Sequence, residues 1–116
     1  MDLENLDFER YTELAKLTDG NKDMPYYYLQ LAREAGEVLE TFIKSKYHNH
    51  EGELDKLELE LGDLVWFIAI IADKRGIPLR RIFENNIRKL HKRHPNGYSN
   101  DYNNEAWHES IFRFDI

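Results

Sequence analysis

The chain contains no cysteine, so disulfides, thiolate metal sites and cysteine nucleophiles are excluded. Proline is scarce, and its three copies fall where helices begin or end rather than inside them. Positive charge is in the minority: 16 Lys and Arg against 22 Asp and Glu give a formal charge of −6. That balance argues against a general nucleic-acid-binding surface. The apolar run from Leu64 to Ala72 falls short of the roughly 20 residues that span a bilayer, so no membrane partner is expected. The acidic start, Met1-Asp2-Leu3-Glu4-Asn5, has no apolar core of a secretory signal. No segment alternates with period two. A soluble, cytoplasmic, all-α protein is therefore expected, and 116 residues suffice for a single core.

Helical spacing recurs four times along the chain. Phe8, Tyr11, Leu14 and Ala15 mark a short first helix over 6–16, stopped by Asp19-Gly20. Pro25 suits the first turn of a second helix over 25–46. Its apolar stripe, Tyr28, Leu31, Ala35, Val38, Leu39 and Phe42, runs beside a polar one of Gln30, Glu34, Glu37, Thr41 and Lys44. A polar connection over 47–52 leads to a third helix over 54–74, which Gly76 is placed to cap. Pro78 opens a fourth helix with Leu79, Ile82, Phe83, Ile87 and Leu90 on its apolar side, ended by Pro95-Asn96-Gly97. The expected fold is a compact bundle of about four helices, with the second, third and fourth as its core and the first flanking. A helix apolar all round, as over 64–72, exceeds what a lone small bundle covers. The bundles are therefore expected to pair into a homo-oligomer, with Trp66 or Ile70 at the interface. The domain is expected over 1–98. Residues 99–116, with Trp107, Ile111, Phe112 and Phe114, read as an arm that is partly ordered or docks on a subunit.

Two segments share one pattern: Glu34-Ala35-Gly36-Glu37-Val38-Leu39 and Glu60-Leu61-Gly62-Asp63-Leu64-Val65. Each pairs two acids three residues apart, hence on one helix face. Each also places a glycine before the second acid, at a cost of about 1 kcal/mol relative to alanine. Such glycines suggest a close approach of the two helices. If those helices are antiparallel neighbours, four carboxylates converge, and they cannot share a small volume without cations. Oxygen-only ligands suit Mg²⁺, with Mn²⁺ as a substitute. A single acid pair is ordinarily a solvated face or a partner for Lys, and Arg33 and Lys44 are the nearby counter-charges. The repetition, the shared glycine and the adjoining apolar run favour the metal site. On the fourth helix, Asn86, Lys89 and Arg93 follow one another along the margin of the apolar side, a stripe suited to a polyphosphate. The competing reading is a helix C-terminus enriched in cations by the macrodipole.

These residues resemble the MazG-like family of all-α nucleoside triphosphate pyrophosphohydrolases. The likeness is carried by Arg33-Glu34-Ala35-Gly36-Glu37, by Glu60-Leu61-Gly62-Asp63-Leu64-Val65-Trp66, and by Asn86-Ile87-Arg88-Lys89-Leu90 leading to Arg93-His94-Pro95. Many members carry a further Glu before the first acid, where Arg33 stands here. The resemblance implies hydrolysis of a nucleoside triphosphate to the monophosphate and pyrophosphate, with Mg²⁺, in a dimer or tetramer. It implies metal ligation by Glu34, Glu37, Glu60 and Asp63, activation of water by Glu37 or Glu34, and phosphate contacts from Asn86, Lys89 and Arg93. The alternative is a non-catalytic helical oligomer with a structural or regulatory metal site.

Overall fold

A computed structural model of the chain describes residues 1–47 and 53–98, the side chains of 53 and 54 excepted. The connection at 48–52 and the arm at 99–116 lie outside the described residues. Four helices follow in order: α1 (Phe8–Lys16), α2 (Met24–Tyr47), α3 (Glu53–Lys74) and α4 (Leu79–Arg93). Among the described residues there is no strand, only an isolated bridge between Pro95 and Gly97. No helix there is long and apolar enough to cross a membrane. The chain divides into two compact units, Met1–Gly76 and Ile77–Ile116.

Local chemistry sets the helix ends. The Asp7 carboxylate accepts the Arg10 N–H at 2.7 Å, so α1 begins at Phe8 rather than Leu6. Pro25 sits in the first turn of α2, where its missing N–H leaves no bond unmade. Gly76 closes α3 with φ +71, a left-handed conformation that suits glycine. The extended Pro78 precedes α4, whose last turn carries His91, Lys92 and Arg93.

In the first unit α2 runs antiparallel along α3, and α1 packs on α3 as well. The facing seams follow a four-three spacing: Tyr27, Leu31, Glu34, Val38 and Thr41 on α2, and Lys56, Glu60, Asp63, Phe67, Ile70 and Lys74 on α3. One end of the seam is apolar. Tyr27 (0 % exposed) and Ile70 (1 %) form the core with Phe67 and Ala15, and Tyr11, Met24, Leu31, Trp66 and Ile71 pack around them. Helix α1 thus supplies part of the core instead of merely flanking it.

Three further expectations change. Ile70 is taken up inside the protomer, where it is buried, while Trp66 stays partly exposed with its indole N–H donating to the Thr18 hydroxyl at 2.9 Å. The apolar stripe of α2 largely faces outward, with Leu39 58 % and Phe42 54 % exposed, while Glu34 (8 %) and Thr41 (5 %) of the polar stripe are buried. Finally, a Cβ added at Gly36 or Gly62 would meet nothing within 4 Å. These glycines open onto space and do not draw α2 and α3 together.

Candidate metal centre

Past Leu31 and Phe67 the α2–α3 seam turns acidic. Glu34 of α2 and Glu60 and Asp63 of α3 bring one carboxylate oxygen each within 4.8 Å of one another. Burial decreases across the group: Glu34 is buried, Glu60 half-buried and Asp63 exposed. The two helices therefore hold three acids at the rim of the core, with Glu34 as the inner one.

Glu34 has no good internal solution for its charge. Its Oε2 is buried without a hydrogen-bond partner among the described residues. Burial raises its pKa above the ordinary carboxylate value; a hydrogen bond with Glu60 and the charges of Asp63 and Glu60 push the same way. Arg33 opposes them from 3.8 Å, but its side chain is mostly exposed and the shift remains upward. Lys44 lies 3.0 Å from Glu40. A hard divalent cation fits this donor set: it would give the orphaned oxygen a partner and offset the mutual repulsion of the acids.

Glu37 is not in the triad. Its carboxylate lies 3.9 Å from Arg33, and it lines a small cavity of about 70 Å³ with Glu60, Glu40, Thr41, Lys44 and Lys56. Glu60 belongs to both the triad and this cavity, so the second acid of α2 reaches the same trench one turn along.

Tyr11 is one of the residues whose spacing marks the first helix. It does pack on the core. Burial and the nearby charge of Asp63 also hold its phenol above its ordinary value, so α1 reaches the acidic end of the seam. A lone tyrosine on an amphipathic helix gives no sequence signal for that role.

In the second unit, Asn86 and Lys89 line one cavity of about 350 Å³ with Ile77, Ile82 and Asn85. Arg93, the last residue of α4, is not among those lining residues.

Comparison with known proteins adds the following. Residues 25–98 match the family model described as MazG nucleotide pyrophosphohydrolase domain. Over 84 residues the chain is 29% identical to the gene 37 protein of Mycobacterium phage L5, covering 68% of this chain and 73% of that protein. No solved structure matches significantly. The matched span takes in α2, α3 and α4 with every acid and cation singled out above, and it covers well over half of the sequence. The chain belongs to the MazG nucleotide pyrophosphohydrolase domain family.

Proposed function

We propose that the chain is a Mg²⁺-dependent nucleoside triphosphate pyrophosphohydrolase that serves nucleotide-pool control or house-cleaning in the cytoplasm. Water attacks the α-phosphorus, the bond from that phosphorus to the oxygen bridging to the β-phosphorus breaks, and the nucleoside monophosphate and pyrophosphate leave. The observation that carries this reading is the buried, unpartnered Oε2 of Glu34 inside a three-carboxylate cluster. Membership of the family supports it from an independent direction.

In this reading Glu34, Glu37, Glu60 and Asp63 hold Mg²⁺, with Mn²⁺ able to substitute. The ion supplies Lewis-acid polarisation and neutralises phosphate charge when bound. Glu37 or Glu34 positions the attacking water or accepts its proton. Asn86, Lys89 and Arg93 stabilise the charge that develops on pyrophosphate. Residues 1–98 constitute the catalytic domain.

The same reading includes a homo-oligomer, a dimer or a tetramer. Leu29, Leu39, Phe42 and Ile43 of α2 and Leu61 and Val65 of α3 are exposed large apolar side chains. So much outward apolar surface on two adjoining helices is what a self-complementary interface requires.

The deciding experiment measures pyrophosphate release from a panel of canonical and modified nucleoside triphosphates, with and without Mg²⁺. Metal-dependent release is the expected result. Silence across the panel, together with a Mg²⁺-dependent rise in Tm, would favour a non-catalytic oligomer carrying a regulatory metal site.

A further inference from the structure

Acids gathered on one seam can share a single divalent ion or hold two, and the two cases differ in what the protein must leave open. Paired ions in phosphoryl chemistry lie about 3.5–4 Å apart and clamp opposite sides of one reacting group. A second ion therefore needs anionic oxygen that nothing positive already faces. Glu34, Glu60 and Asp63 are the acids that converge, so that oxygen would have to come from the Glu37 side of the trench.

The Glu37 side is already supplied with cations. One guanidinium addresses both acids of α2: Arg33 Nη1 stands 3.8 Å from Glu34 Oε1, and Nη2 stands 3.9 Å from Glu37 Oε1. Arg33 also donates to Gln30 Oε1 at 3.2 Å, one turn back on the same helix. The cavity that Glu37 and Glu60 line together takes in Lys44 and Lys56 as well. The two oxygens of Glu34 thus differ. Oε1 faces a positive charge of the protein, while the buried Oε2 has no partner. Only the inner oxygen calls for an ion.

Charge gives the same answer. The triad with Glu37 and Glu40 sets five negative charges against the three positive charges of Arg33, Lys44 and Lys56. The two negative charges left over are what one divalent ion neutralises. A second ion would carry its charge into the part of the trench where the side-chain cations stand, and like charges repel. We infer that the seam binds one divalent ion per chain, and that Arg33 is the residue that closes the second position. Glu37 then holds no ion of its own, and Arg33 acts as a positioning residue for its carboxylate. A count of one presupposes the metal site of the reading above and adds a role for Arg33 that the reading does not contain.

The test titrates the full chain, free of metal and nucleotide, with Mn²⁺ and follows electron paramagnetic resonance in the wild type and in Arg33→Glu. Arg33 is mostly exposed, so the variant should keep its helical circular dichroism. In the tight phase of the titration the wild type should take up one Mn²⁺ per chain, with the resolved hyperfine lines of an isolated ion. Arg33→Glu removes a positive charge and adds a negative one. It should take up two ions per chain, with a signal broadened and weakened by spin coupling between neighbours. Two coupled ions in the wild type, or a single ion in Arg33→Glu, overturns the assignment. A wild type that binds no Mn²⁺ overturns it as well, and removes the metal site with it. Pyrophosphate release judges the hydrolase reading separately. Two coupled wild-type ions with metal-dependent turnover strike the single-ion assignment alone, whereas one ion without turnover upholds it and strikes the hydrolase reading alone.

Discussion

Tyr27 and Glu34 lie two turns apart on the same face of α2, both buried against α3, and the protein treats them in opposite ways. Around Tyr27 every polar demand is met. Its hydroxyl donates to Asp19 and accepts the Lys22 N–H at 2.8 Å. Lys74 stands 3.1 Å from Asp19 and 4.8 Å over the Tyr27 ring. Burial alone would raise the Asp19 carboxyl, yet hydrogen bonds from Tyr27, Lys74 and the Asn21 amide, with the Lys74 charge, hold it below its ordinary value. Around Glu34 the acids accumulate, one oxygen is orphaned, and the carboxyl is driven upward. A satisfied polar network specifies structure; an unsatisfied one at the edge of the same core marks where a ligand completes the molecule.

The largest effects should come from breaking the acidic end. Asp63→Asn and Glu34→Gln are each expected to cut Mg²⁺-dependent pyrophosphate release by about a hundredfold or more, because each removes an anionic metal ligand. Metal-free Tm should hold or rise, since mutual repulsion is relieved. A variant that keeps full turnover would place the chemistry elsewhere in the molecule.

At the satisfied end the signature should reverse. Tyr27→Phe deletes the hydroxyl that joins Asp19 to the Lys22 amide, at a cost of about 1–3 kcal/mol. Thermal unfolding should drop by several degrees while kcat per folded molecule stays the same. A kcat loss at unchanged Tm would erase the contrast between the two ends.

Smaller still are the glycines. Gly36 and Gly62 are helical, and a methyl at either meets open space. Alanine at each should therefore stabilise the isolated protomer by up to about 1 kcal/mol, read as a shift in urea midpoint at unchanged m. If the variants instead lose their oligomeric state by sedimentation, the two glycines belong to contacts between copies.

Much of this was legible in the sequence, but not which face of α2 turns inward. Three helix boundaries followed from Pro25, Gly76 and Pro78, whose effects are local, whereas the Asp7 cap that starts α1 at Phe8 went unread behind the apolar Leu6. The acid pairs declared themselves by repetition, and three of the four carboxylates do meet. The inward face was misjudged because hydrophobicity was taken to mark it. Leu39 and Phe42 are greasier than Glu34 and Thr41, yet the latter continue the spacing set by Tyr27 and Leu31 and so lie against α3. Register comes from the well-packed end of a helix pair and is imposed on the rest. The Asp19–Tyr27–Lys74 network was invisible for a different reason: it joins residues far apart in the chain through a loop, and no periodicity encodes that.

The finest test of the contrast is pH, because the two ends have opposite signs. Glu34 has its folded pKa above the ordinary 4.5, so the folded protein holds a proton that the unfolded chain has released. Stability without metal is then greatest at or below 4.5, declines as pH rises through the raised value, and levels off above it. Asp19 has its folded pKa below the ordinary 3.8, so its contribution is complete above 3.8 and is lost as pH falls through the lowered value. Tm measured against pH in the presence of a chelator should show both limbs. Glu34→Gln should flatten only the limb above 4.5, and Asp19→Asn only the acid limb. Added Mg²⁺ should lift the wild type most at neutral pH, where the carboxylates are free to bind it. If Glu34→Gln and the wild type trace the same curve above 4.5, Glu34 is not the strained acid of this seam.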